Sequence, residues 1–92
     1  MTKEHLHHTH PEVIKRLRRA QGHLRSTIEH LEEGRSCTDL AQQLHAVEKA
    51  IANAKKLLIH DHIDHCLEHS SDTSPKAMQA MITEFKHISK YL

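Results

Sequence analysis

Glycine and proline are nearly missing from this sequence, with two of each in 92 residues. The scarcity argues against turn-rich β architectures, which need those residues at chain reversals, and it leaves the stretch from Ser36 to about Glu68 with neither. Tryptophan is absent, and Phe85 and Tyr91 are the only aromatics. So little bulk makes a poor core for a lone protomer, and association is the expected remedy. No apolar run is long enough for a membrane span or a signal peptide, the longest candidate being Leu57-Leu58-Ile59. A cytoplasmic protein without a membrane partner is therefore expected. In a reducing compartment its two cysteines, Cys37 and Cys66, serve more often as metal ligands or redox groups than as a structural disulfide. The net charge of +1 says little as a total; the positions of the charges matter more.

What remains is helical in pattern. Residues 1–8 form a polar, His-rich arm expected to be mobile. Thr9-His10-Pro11-Glu12 reads as a capping box with Pro in the first turn, opening a helix over 9–33 that stops at Gly34. A second helix is predicted over 36–68, with Leu40, Leu44, Val47, Ile51, Ala54 and Leu58 alternating steps of four and three. After the polar stretch from His69 to Thr73, Ser74-Pro75 starts a third helix over 74–92, whose apolar positions are Met78, Ile82, Phe85, Ile88 and Leu92. No segment reads as a strand. The expected fold is one all-α domain of three helices with a long central one.

The first helix has two sides. Val13, Leu17, Ala20, Leu24, Ile28 and Leu31 cluster on one, while Lys15, Arg18, Arg19, Gly22 and Arg25 lie roughly opposite and Arg16 flanks them. The acids Glu12, Glu29, Glu32 and Glu33 sit toward the ends, leaving the middle of the basic side unbalanced. Such a surface suits phosphate contacts, and Gly22 removes a side chain where a duplex would approach. A solvated charged face is the plainer reading. The segment has neither the turn of a helix-turn-helix nor the ligand spacing of a zinc finger.

The second helix ends in ligand chemistry. Continuing its apolar seam by four and four again gives His62 and Cys66 on one face. Cys37 lies roughly 40 Å away along the axis, a gap that one straight helix cannot close. An antiparallel partner closes it and makes two equivalent sites per dimer. His65 and His69 offer a competing pair at the same spacing. Twelve histidines are a large excess, and four of them, His5, His7, His8 and His10, crowd the N-terminus in a pattern unlike the plain run of a purification tag. His23, His30, His45 and His87 read as ordinary surface or core side chains.

These residues resemble a known family. Cys37, His62 and Cys66, on a helix containing Gln42-Gln43-Leu44-His45-Ala46-Val47 and preceded by Arg16-Leu17-Arg18-Arg19-Ala20-Gln21-Gly22-His23, look like the CsoR/RcnR family of bacterial metal-sensing repressors. The likeness covers nearly the whole chain and is greatest, from His10 to Glu68, to the nickel- and cobalt-responsive InrS/DmeR-like branch. It implies an antiparallel dimer assembling into a disc-shaped homotetramer that binds double-stranded operator DNA and releases it when the cognate metal binds. It also implies an N-terminal ligand 32 residues before the first Cys, here His5. The set His5, Cys37, His62 and Cys66 then suits Ni(II) or Co(II), with Zn(II) possible, whereas the three residues without His5 suit Cu(I). His7 or His8 could replace His5. On this reading Lys15, Arg16, Arg18, Arg19 and Arg25 contact the operator, and derepression of metal efflux follows release.

Three other uses remain. A thiol sensor would use Cys37 and Cys66 but leaves the histidines unexplained, and a metal storage or delivery protein leaves the basic side without a role. An enzyme is not expected. Asp61, Asp64 and Glu68 lie near the ligands, but no pocket-forming segment or phosphate loop accompanies them.

Overall fold

The computed structural model describes residues 9–68 and 74–92, apart from the side chains of 66–68. It contains three helices, α1 (His10–Glu32), α2 (Cys37–Glu68) and α3 (Pro75–Ser89), and no strand among the described residues. The fold is all-α, as the pattern predicts. α1 and α2 form an antiparallel hairpin, and α3 touches only a small part of α2. The molecule is a rod with extents of 60 × 26 × 18 Å.

The helix ends follow local chemistry. Gly34 has φ 79°, the left-handed conformation that a glycine adopts without strain. The amide of Gly34 then donates to the Leu31 carbonyl and that of Arg35 to the His30 carbonyl, which satisfies the last carbonyls of α1 in a Schellman turn. Ser36 caps α2, its Oγ accepting from the Asp39 amide at 3.2 Å. Ser74 does the same for α3, with Oγ accepting from the Ala77 amide at 3.2 Å and Pro75 in the first turn.

The capping box at the start of α1 does not form. Thr9 has helical backbone angles, φ −85° and ψ −11°, and its side chain makes no capping hydrogen bond. Its Oγ1 is buried without a partner. Glu12 turns instead to Arg16, accepting from Nε at 3.1 Å. A charged partner one turn along holds the carboxylate better than a backbone amide displaced by helical angles at Thr9.

The seam between α1 and α2 is narrow. Val13, Ala20 and Thr27, seven residues apart, are buried against α2, and Leu40, Val47 and Ala54, also seven apart, are the corresponding buried residues there. Ala20 and Ala54 are small enough for the backbones to approach closely, and Thr27 avoids a buried unpaired hydroxyl by donating to the His23 carbonyl at 2.9 Å. At the turn end of the hairpin, His30 Nδ1 and Gln43 Oε1 meet at 2.9 Å. Asp61, 8% exposed, continues the buried line of α2.

Six other apolar residues form a second set with the same period. Leu17, Leu24 and Leu31 on α1 are 42%, 39% and 58% exposed, and Leu44, Ile51 and Leu58 on α2 are 42%, 46% and 38% exposed. A heptad pattern normally points both apolar positions at one partner. Here the hairpin takes one position of each heptad and leaves the other uncovered. The single stripe predicted on each helix is therefore two stripes facing different ways.

Enlarging a small residue in the closed seam should show how tight it is. Ala54 is 1% exposed, so Ala54→Leu should cost about 1–3 kcal/mol through overpacking, read from urea unfolding at fixed protein concentration. Ala52→Leu on the exposed side is the control and should be nearly neutral. Equal stability of both variants would mean that the seam has room.

Candidate metal centre and nucleic-acid interface

The predicted ligands are set out along one rod. Cys37 is the first residue of α2, exposed and with a free thiol. His62 lies near the other end of the same helix and is half-buried. The 25 residue steps from one to the other correspond to about 37 Å of helix, so one protomer does not bring them together. Cys66 follows His62 by one turn in the helical backbone. His5 lies outside the described residues, and so do the alternatives His7 and His8. Among the described residues no group of three or more His, Cys, Asp or Glu could hold a metal ion.

Helical phase links the distant positions. At about 100° per residue, Cys37, Leu44, Ile51, Leu58 and His62 fall within about 60° of arc. The uncovered stripe of α2 thus runs from the cysteine at one end to the histidine at the other. It is also symmetric about Ile51: Leu44 and Leu58 lie seven residues to either side, and Cys37 lies as far before Ile51 as residue 65 lies after it. Beside Ile51 the stripe joins the leucine face of α1 in an open groove of about 420 Å³ lined by Ile14, Leu17, Ala20 and Leu24.

His62 has an apolar neighbour on another side. With Ile63 it lines a pocket of about 160 Å³ against Met81, Ile82 and Phe85 of α3. Hydrocarbon there excludes water from part of the imidazole. The donor types suit a soft or borderline ion, two thiols and an imidazole being the preference of Cu(I) or Zn(II), with added nitrogen shifting the set toward Ni(II) or Co(II). The thiol of Cys37 is free and exposed, and the straight α2 of one protomer does not carry it to His62.

The basic side of α1 is open. Lys15, Arg16, Arg18, Arg19 and Arg25 are all exposed. Arg16 pairs with Glu12 at 3.1 Å, and the other four have no ion pair among the described residues. Nothing lies within 4 Å of a Cβ built at Gly22, so that glycine marks open surface. Glu12, one of the acids near the ends of α1, is thus engaged by a residue of the basic side itself. The four-residue spacing of the two was the available signal.

Residues 9–90 match the family described as metal-sensitive transcriptional repressor. The chain belongs to that family. It is a family of repressors and not of enzymes. Among curated relatives, the copper-sensing transcriptional repressor CsoR of Bacillus subtilis is 30% identical over 81 residues, covering 86% of this chain and 80% of its own. The copper-sensing repressor CsoR of Mycobacterium ulcerans is 36% identical over 54 residues, 59% of this chain and 46% of its own length. The copper-sensing repressor RicR of Mycobacterium tuberculosis is 36% identical over 53 residues, 58% of this chain and 55% of its own. The matched stretch thus spans about half the length of these mycobacterial relatives. No solved structure matches the chain significantly. The relatives named here are copper sensors, and none carries the nickel- and cobalt-responsive assignment expected from the sequence. No helix among the described residues is long and apolar enough to cross a membrane.

The exposure of Cys37 has a direct chemical test. In the reduced, metal-free protein it should be alkylated by iodoacetamide without denaturant, as read by mass spectrometry. Strong protection of Cys37 in that state would mean that another surface covers the start of α2.

Proposed function

We propose that the protein is a metal-responsive repressor whose metal site is shared between two antiparallel α2 helices. The observation that carries this is the symmetry of the uncovered stripe about Ile51. Two copies paired there set Leu44 against the partner's Leu58, Ile51 against its own equivalent, and Cys37 beside the turn carrying the partner's His62 and Cys66. The same contact buries the leucines and completes two sites. Family membership supports a repressor, and the open basic side of α1 supplies the surface for operator DNA through Lys15, Arg16, Arg18, Arg19 and Arg25. Two such dimers forming a homotetramer extend this reading.

The names of the relatives favour Cu(I) as the sensed ion, held by Cys37, His62 and Cys66. A second reading, Ni(II) or Co(II), is favoured by His5 standing 32 residues before Cys37 in a His-rich arm, which would add a fourth donor. The two readings differ by one residue. In either, metal lowers DNA affinity only as far as DNA lowers metal affinity. A tenfold to hundredfold effect corresponds to about 1.4–2.8 kcal/mol of coupling. Because the ligands must be deprotonated, metal affinity should fall as pH drops.

Binding of the apo protein to labelled DNA from upstream of its own gene, measured anaerobically at fixed salt with each metal added separately, tests the function. Release by Cu(I) alone supports the three-ligand site. Release by Ni(II) or Co(II) that His5→Ala abolishes, with apo DNA binding intact, supports the four-ligand site. An apo protein that binds no DNA under any condition would sink the repressor reading and favour storage or delivery.

The shared site has its own test. Ile51→Asp places a charge at the centre of the pairing and should keep the helical circular dichroism while lowering the mass seen by analytical ultracentrifugation. Its metal affinity should drop at least about tenfold, since each half-site loses its complement. Unchanged affinity in a dissociated variant would mean that one chain suffices to hold the metal.

A further inference from the structure

The basic side of α1 has an acid built into it. Glu12 accepts from Arg16 Nε at 3.1 Å, with the two side chains 47% and 44% exposed. The pair is therefore wet, and it is not there to satisfy a buried charge. It lies along a groove of about 330 Å³ between the hairpin helices, which Arg19 and, from α2, Ala50 and Asn53 also line. Lys15, Arg18, Arg19 and Arg25 are unpaired among the described residues. On this face Arg16 is singled out.

We propose that Glu12 is an internal stand-in for a DNA phosphate, occupying Arg16 in the free protein and displaced from it when the operator binds. This rests on the reading of α1 as the DNA surface and adds a residue that weakens binding there. A carboxylate and a phosphate compete for the same guanidinium N–H donors. Binding at Arg16 is then an exchange of one anion for another, whereas at the neighbouring cations it is a new contact. Glu12 also lies within a Debye length of any phosphate that reaches Arg16 and repels it. Both effects lower operator affinity and bring it nearer the range in which metal can release the DNA.

The test is fluorescence anisotropy of apo protein on a labelled duplex from upstream of its own gene, across a series of salt concentrations. Glu12→Gln should tighten binding about three- to tenfold and steepen the dependence of log K on log salt by up to about 0.9. The gain should shrink toward unity in an Arg16→Ala background, because the competition needs the arginine. Glu12→Asp keeps the first-turn charge but falls one methylene short of Arg16; it should give part of the gain and decides the matter if Glu12→Gln loses helix by circular dichroism. Unchanged or weaker binding by a folded Glu12 variant, or the same gain without Arg16, overturns the proposal and leaves Glu12 a helix-start charge. Wild-type protein with no salt-dependent DNA binding would overturn the repressor reading and this inference together.

Discussion

The rest of the structure depends on how closely α1 and α2 pack. Ala20, Thr27 and Ala54 are small, and with Val13, Leu40 and Val47 they close a seam one residue wide per heptad. Larger residues at those positions would hold the helices apart, and the neighbouring leucines could then fold into the gap. In the structure those leucines lie outside the seam. Leu17, Leu24 and Leu31 on one helix and Leu44, Ile51 and Leu58 on the other consequently stand at the surface, 38–58% exposed. A protomer that satisfied all its apolar residues internally would present no such apolar face.

Each hairpin helix therefore divides its circumference. α1 has an inner line against α2, a leucine face and an arginine face; α2 has an inner line and a face that runs from Cys37 through Leu44, Ile51 and Leu58 to His62. Helical phase sets all of these directions at once, so the buried line, the uncovered apolar face and the charged face are fixed together by one rotation about each axis. α3 stands apart from this scheme. It touches α2 little, and its contribution near the site is the hydrocarbon of Met81, Ile82 and Phe85 beside His62.

Much of this was legible in the residues. The stops and starts at Gly34, Ser36 and Ser74-Pro75 declare themselves because each has a side chain or backbone property suited to one position at a helix end. The separation of Cys37 from His62 follows from counting along an uninterrupted helix. Periodicity could not tell that an apolar stripe of steps three and four was two stripes, because both point within the same half of the helix; side-chain size decides which one closes, and Ala20, Thr27 and Ala54 carried that signal. Thr9 misled for a different reason. The capping box depends on backbone angles at the cap residue, and Arg16 offers Glu12 a charged alternative that the four-residue motif does not contain.

The uninterrupted length of α2 also restricts how sequences of this kind can change. One residue inserted between Cys37 and His62 turns everything beyond it by about 100°, carrying the histidine off the face that holds the cysteine and the leucines. An insertion of seven turns it by only about 20° and leaves the faces aligned. The rod can therefore lengthen or shorten by whole heptads, preferably near Ile51 where both arms of the stripe remain equal. Within α2, reading frame in steps of seven is as binding on the protein as the triplet is on its gene.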